Sequence, residues 1–544
     1  MKKPAPNKWA ALAVLAAGLS MIVLDGTIVG VSLPTIIADL GMDLGDAQWV
    51  NSLYSVVLAA LLLTAGRLGD RLGRRKLYVI GVVLFVVGSL CAAAADSSGA
   101  LIAGRALQGV GGAAVLPSTL SSVNATFRGR DRAAAFGVWG AVISGMAAVG
   151  PLLGGWLTSG IDWRWIFLVN LPLGALVLIG TWLFVPETSQ APAVPGVDLP
   201  GLLLSAAGFG LLVFALIEGP TLGWWAPRQT LRLGSFTWPE GSSPVVALGV
   251  TALLLLAAFI WWEARRGTAG RAALLDLGLF RISTFSWGNT AASAVAVGEF
   301  GLLLVLPLLL VNVLGTGTLG AGFILAAMAL GAFGSGASAR RLSARLGAER
   351  VVVLGLVLEV VAVPTLGLSI TSHLPVGLLV PLLVAYGLGL GLASAQLTGT
   401  VLRDIPTSAS GQGSATQSTV RQLGSGLGSA IAGTVLAIGT TVGTTASLRE
   451  AGADTGTASD LAHRLSDSAG GLITGYDAGS PLHAALTDGF STGVQWAVFA
   501  SVAFLALGLL ASLRVATAAR AIRPDGGAGK IQIQGPDDGS AAGA

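Results

Sequence analysis

Reactive side chains are scarce in this chain. Cys91 is its single cysteine and lies inside an apolar run, which excludes an intramolecular disulfide and argues against redox chemistry. The three histidines, His373, His463 and His483, all fall in expected outer loops, so imidazole is a poor carrier for a proton moved inside the apolar segments. No Gly-x-x-x-x-Gly-Lys-Ser/Thr loop is present, which disfavours direct coupling to a nucleotide. No cluster of His and Cys offers a metal site or a nucleophile–base pair, so no catalytic residue, metal or cofactor is expected.

Charge is the other shortage. Only 11% of the 544 residues are charged while 53% are hydrophobic, and the mean hydropathy is +0.79. That balance excludes a soluble domain and points to an all-α polytopic membrane protein. The pI near 9.5 does not mark a nucleic-acid partner, because the basic residues are spread over separate short links rather than gathered on one face.

What the chain does have is a succession of long apolar runs. At about 20 residues per crossing, they predict fourteen transmembrane helices. These lie near 9–34, 47–65, 77–96, 99–120, 133–157, 165–185, 198–218, 243–262, 284–313, 318–338, 350–371, 374–400, 410–440 and 491–515. The link Gly66-Arg-Leu-Gly-Asp-Arg-Leu-Gly-Arg-Arg-Lys76 joins the second and third runs, and short loops so rich in Arg and Lys stay in the cytoplasm. With that side fixed, the predicted inner segments hold most of the 31 Lys and Arg. The outer loops hold only Arg164, Arg228, Arg232, Arg449 and Arg464. The expectation is a multi-pass protein of the cell membrane with both termini cytoplasmic.

Sliding the chain by 274 residues lays Arg71-Leu72-Gly73 on Arg345-Leu346-Gly347, Gly81 on Gly355, Asp25 on Glu299, and Gly150 to Gly155 on Gly424 to Ser429. One register satisfying several separate places implies two parallel six-helix repeats. The expected division is 1–197 for the first half, 198–283 for an inserted helix pair, 284–522 for the second half with an external loop at 441–489, and 523–544 for a disordered cytoplasmic tail. Parallel repeats of this kind belong to secondary transporters, whose substrate site lies between the halves near the midplane.

Charges buried in such helices are costly, so each should face the bundle interior and find a partner or water. Asp25 sits about 14 Å below the expected outer end of its helix and Arg105 about 9 Å below that of the fourth. The two should approach each other, either as a structural pair or as a pair weakened when Asp25 takes a proton. Glu299, the repeat mate of Asp25, is a second proton-coupling candidate or the anionic partner of a cationic substrate. Arg421 should pair with Glu299 or with Glu359, and Glu359 is equally readable as a structural partner.

Several stretches then resemble a known family. The Gly66–Lys76 link, with Gly66, Gly69, Asp70, Arg71, Gly73, Arg74 and Arg75, resembles the signature loop of the major facilitator superfamily. Leu24-Asp25-Gly26-Thr27 through Pro34, Gly104-Arg105-Ala106-Leu107-Gln108-Gly109, and Trp163 through Pro172 resemble motifs of its fourteen-helix drug:proton antiporter branch. The helix-5 run with Gly137, Gly145, Gly150, Pro151, Gly154 and Gly155 resembles the motif associated with antiporters. Gly30 departs from the pattern by standing where Asn is usual, and Ala344 stands in the second-half loop where the first has Asp70.

The resemblance implies a major facilitator fold of two six-helix repeats plus two inserted helices. It implies a proton-coupled exporter of amphipathic or lipophilic, in some cases cationic, drugs, with protons and membrane lipid as its other partners and a monomeric state. The helix-5 face is then expected to seal the outer side. Asp70 is expected to cap the start of helix 3, with Arg71, Arg74 and Arg75 reaching the other half. An exporter dedicated to one endogenous metabolite or antibiotic is the alternative, and a proton symporter or a receptor a more distant one.

Overall fold

The computed structural model describes residues 7–42, 44–188, 196, 198–233, 236–239, 241–371 and 374–521. The expected tail 523–544 and His373 lie outside them. In order, the helices are α1 (Lys8–Leu40), α2 (Leu44–Leu72), α3 (Arg74–Ala93), α4 (Ser98–Thr126), α5 (Gly129–Gly160), the single turn α6 (Trp165–Leu168), α7 (Asn170–Phe184) and α8 (Leu199–Leu222). A two-residue hairpin, β1 (Arg232–Leu233) and β2 (Phe236–Thr237), precedes α9 (Pro244–Thr268). Then come α10 (Ser283–Leu308), α11 (Gly317–Leu346), α12 (Ala348–Ser369), α13 (Val376–Val401), α14 (Ser410–Glu450), α15 (Thr455–Asp467) and α16 (Pro481–Ala521).

Helix starts follow local capping chemistry. The Asn7 side chain accepts from Trp9 N and Ala10 N, Ser97 from Ala100 N, and Asp198 from Gly201 N, each occupying N–H groups that have no partner within the helix. α1 runs past residue 34 to Leu40 and stops at Gly41, whose φ of 59° is the left-handed conformation that glycine adopts freely. The proline therefore does not end this helix as the sequence reading had it. In a bundle, neighbouring helices satisfy the freed backbone groups.

Twelve helical stretches among the described residues are long and apolar enough to cross a membrane, against the fourteen expected. α5 and α11 are the other two long helices in the expected positions; in α11 the apolar part spans only Gly320–Gly336. Large side chains face outward around the bundle, with Trp182 and Leu368 both 76% exposed. Such a belt suits a hydrocarbon environment.

The expected external loop is shorter than 441–489. α14 continues to Glu450 and α16 begins at Pro481, because Gly439 and Gly443 let α14 lie directly against Gly493, Thr492 and Gly489 of α16. Within the remaining link α15 buries Ala458, Ala462 and Leu465 along one side, which covers the amphipathic stretch expected at 458–465.

Close helix pairs recur at equivalent positions. A Cβ at Gly88 would lie 2.8 Å from Gly104 O and one at Gly111 2.7 Å from Gly81 O, so α3 and α4 touch backbone to backbone. α12 and α13 meet the same way, a Cβ at Gly355 falling 2.7 Å from Gly389 O. α5 packs on α1, α11 and α13, and α14 packs on α2 and α4. α9 is peripheral, but α8 is not: besides α9 it contacts α2 and α14.

Candidate functional site

Asp25, on α1, is 1% exposed and is the hub of a polar cluster in an otherwise apolar layer. Its Oδ2 accepts from the Arg105 guanidinium on α4. Its Oδ1 accepts from Gln108 Nε2 at 2.7 Å and from Asn170 Nδ2 at 3.1 Å. Arg105 is held in turn by Val50 O at 3.1 Å and Gln108 Oε1 at 2.8 Å, and its guanidinium lies 4.3 Å from the centre of the Tyr54 ring. Ser89 Oγ accepts from both Gln108 and Asn170. Residues of five elements, α1, α2, α3, α4 and α7, thus join one network around this carboxylate. Charge-assisted bonds of this kind are what make a buried pair tolerable.

The sequence brings Asp25 and Arg105 together, and the structure bears out that contact. It missed Gln108, Asn170, Ser89 and Tyr54 as partners. Gln108 had a usable signal, lying one helical turn after Arg105 on the same face.

The second cluster is sparser. Glu299 on α10 is 2% exposed; its Oε2 lies 3.5 Å from Arg421 Nη2 on α14, and its Oε1 accepts from Ser394 Oγ at 3.1 Å. Arg421 therefore pairs with Glu299 rather than with Glu359. Glu359 on α12 is fully buried, yet among the described residues neither carboxyl oxygen has a hydrogen-bond partner, and the nearby helix α13 carries the equally unpartnered hydroxyl of Tyr386. The reading of Glu359 as a tight structural partner is not what the structure holds.

At the end of the bundle bearing the Gly66–Lys76 link, the two sets of helices are tied together. Asp70 Oδ1 accepts from Gly411 N at 3.1 Å and its Oδ2 from Gln412 N at 3.2 Å, so Asp70 caps α14. An anion at a helix N-terminus is favoured by the free N–H groups and by the helix dipole. The expectation that Asp70 caps helix 3 is overturned: at the start of α3 the Glu187 carboxylate accepts from Arg74 N at 2.9 Å. Arg74 Nη2 bridges Asp70 at 2.9 Å and Thr407 O at 2.8 Å.

Among the described residues, only Arg74 of the three arginines reaches across. Arg75 donates to Trp182 O at 3.1 Å, and Arg71 makes no ion pair or hydrogen bond among the described residues. Gly66 makes the approach possible, since a Cβ there would sit 2.6 Å from Gly411 O. Gly69 faces Leu77 of α3, and Gly73, at φ 111°, makes the turn between α2 and α3.

Further ties lie at the same end. Arg132 donates to Gly399 O at 3.1 Å and Asn124 Nδ2 to Ser410 Oγ at 2.9 Å. In the α13–α14 link, Arg403 binds Glu349 and Asp404. Burial alone would lift the Asp404 carboxyl, but hydrogen bonds from Arg403 and Thr284 outweigh it and hold Asp404 below the ordinary carboxylate range.

The helix-5 glycines pack in two directions. A Cβ at Gly150 would lie 2.8 Å from Thr27 Cβ and one at Gly154 2.8 Å from Ile28 O, both on α1; Gly155 faces Val31 at 3.8 Å. Gly137 and Gly145 face α11, at 3.2 Å from Gly336 O and 3.8 Å from Phe333. Pro151 lies within α5 without interrupting it.

A cavity of about 1120 Å³ is walled by α2, α8, α10 and α14, and it reaches α15. Its lining mixes Ser52, Gln422 and Ser425 with Leu216, Phe300 and Leu304. Behind this wall is an acid the sequence reading passed over: Glu218 on α8, 6% exposed, whose Oε1 accepts from Ser52 Oγ. Its signal was a lone carboxylate in the apolar run Leu211 to Gly219. Among the described residues, no group of three or more His, Cys, Asp or Glu is arranged to hold a metal ion.

The profile of the Major Facilitator Superfamily matches residues 15–429. The chain is 32% identical over 432 residues to the "Probable actinorhodin transporter" of Streptomyces coelicolor, covering 77% of this chain and 71% of that one. It is also 32% identical over 422 residues to "Multidrug resistance protein Stp" of Mycobacterium tuberculosis, covering 77% and 74%. Among solved structures it shares the fold of the human organic anion transporter MFSD10 (TETRAN), with a TM-score of 0.59 at 15% identity over 93% of this chain and 100% of that one. Profile, relatives and fold agree: the chain belongs to the Major Facilitator Superfamily, as a multi-pass membrane transporter and not an enzyme.

Proposed function

We propose that this transporter is a proton-coupled antiporter that exports amphipathic or lipophilic small molecules from the cytoplasm by alternating access. The observation that carries the reading is the Asp25 hub. One buried carboxylate holds Arg105, Gln108 and Asn170, and so ties α1 to α4 and α7. A proton on Asp25 removes the charge that orders these donors and changes how those helices pack. The energy for export comes from inward proton movement, in which each charge crossing the membrane is worth about 2.3 kcal/mol per 100 mV.

The positive-inside rule puts the Gly66–Lys76 link and both termini in the cytoplasm. The Asp70–Arg74–α14 contacts then form the inner gate. With that gate shut and the cavity reaching α15, the arrangement is the outward-facing one. The moving units are residues 1–197 and 284–522, with 198–283 as the inserted pair; α5 and α11 complete fourteen crossings. The α5 glycines hold α1 and α11 close and prevent leak. The transporter works as a monomer in lipid.

The names of the relatives support two substrate ranges. "Multidrug resistance protein Stp" favours broad efflux, and "Probable actinorhodin transporter" favours export of one endogenous product. The test of the common mechanism uses purified protein in liposomes with an imposed pH gradient. Adding a substrate should dissipate the gradient, and a gradient that no chemically diverse panel dissipates would refute antiport.

A further inference from the structure

The acids within the helices differ in what neutralises them. Asp25 has Arg105, and Glu299 has Arg421 and Ser394. Glu218 has no basic partner among the described residues: Ser52 Oγ donates to its Oε1, and Oε2 accepts no hydrogen bond. It lies four residues before the end of α8, about 6 Å along the axis. Its neighbours Leu216 and Ile217, and its donor Ser52, are in the cavity wall. Arg228 lines the same cavity but is exposed in the link after α8 and pairs with no acid among the described residues. Glu359 also lacks a hydrogen-bond partner among the described residues, but it is fully buried and no residue of its helix α12 lines the cavity, whereas Glu218, set just behind the lining, is flanked by residues that do. Asp467, the acid in the lining itself, is exposed on α15.

A carboxylate largely removed from water needs a cation or a proton. On these grounds we propose that Glu218 is a specificity-determining residue for lipophilic organic cations. The cationic nitrogen or phosphorus centre of the substrate enters the cavity, and the Glu218 carboxylate, released from Ser52 by rotation of its side chain, becomes its counter-ion. Phe300, Leu304 and Leu308 meet the apolar body. The inference rests on the export function above and names its substrate class. It moves the cation-binding role from Glu299, whose carboxylate Arg421 already neutralises, to the inserted helix pair, and so gives α8 a function beyond packing.

The test compares tetraphenylphosphonium with the neutral dye Nile red in liposomes holding wild type, Glu218→Gln or Glu218→Asp, under one imposed pH gradient. The expected result is that wild type moves both probes. Glu218→Gln lowers tetraphenylphosphonium transport at least tenfold with Nile red transport within twofold of wild type, and Glu218→Asp recovers the cation. The proposal is overturned if Glu218→Gln moves the cation as wild type does, if it loses both probes alike, or if wild type moves Nile red alone. Wild type moving neither probe would count against the export function itself, and the inference would fall with it.

Discussion

Replacing Asp70 by Asn should open the gate at the Gly66–Lys76 end. In the closed arrangement the Asp70 carboxylate accepts two backbone N–H groups of α14, at 3.1 and 3.2 Å, and two bonds from Arg74, at 2.9 and 3.2 Å. Asn keeps the shape but loses the charge and presents an NH₂ to donors. Arg74, 1% exposed, is then left without its counter-ion. Breaking a buried pair from one side costs about 3–5 kcal/mol.

Only contacts unique to the closed arrangement shift the equilibrium between states. In the proposed gate the two bonds to α14 are such contacts, and at about 1.5–3 kcal/mol each for a charged acceptor they would set a shift of at least about 3 kcal/mol. That is roughly a hundredfold change in the ratio of the two states. Spin labels at Arg71 and Ser408, in a Cys91→Ser background, would report the separation across this end. The closed-distance population should dominate in the parent and collapse in Asp70→Asn. An unchanged distance distribution would refute the gating assignment.

Other expectations follow from the same contacts. Gly66→Leu should also prevent closure, because its side chain would occupy the space of Gly411 O and Ala415, and it should show the same loss of short distances. Glu299→Gln and Glu359→Gln should part company in a thermal-unfolding assay. The first strands Arg421 and lowers stability by about 1–3 kcal/mol, whereas the second removes an acid with no partner and leaves the melting temperature unchanged or raised. Gly154→Val should disrupt α1–α5 packing against Ile28, giving substrate-independent proton leak in liposomes. For Asp404, whose carboxyl is held below its ordinary value, the stabilising contribution is present above about pH 4 and is lost as pH falls through the folded value. The difference in melting temperature between wild type and Asp404→Asn should therefore be constant near neutrality and vanish in acid.

What could be read in the sequence follows the energetic cost of each feature. An ionised group in a membrane helix is expensive enough to demand a partner, so Asp25 with Arg105 was legible from type and depth, while for Arg421 the sequence left Glu299 and Glu359 open and the structure selects Glu299. Gln108, Asn170 and Ser89 are uncharged and cheap to bury in a helix; Gln108 shares a face with Arg105, but nothing marked Asn170 and Ser89 as partners until the fold brought α3, α4 and α7 to Asp25. The partner of Asp70 was out of reach for a different reason. A helix cap within a few residues is a local pattern, but Gly411 N lies 341 positions away and is delivered only by α14 docking on α2. Helix ends failed where composition misleads: proline did not stop α1, and the polar Gly and Thr residues at 441–450 remained helical because they pack on α16. Glu218 was not legible because the inserted pair lies outside the repeat and so has no counterpart to mark it; only the contacts of α8 with α2 and α14 bring this acid beside the cavity.

The central claim is that Asp25 couples proton movement to export. Its most direct test is pH-gradient-driven transport in liposomes by wild type and Asp25→Asn, set against counterflow of the same substrate without a gradient. The account predicts that Asp25→Asn exchanges substrate in counterflow but shows no acceleration by the pH gradient and releases no protons. Gradient-driven transport by Asp25→Asn at the wild-type rate would contradict it.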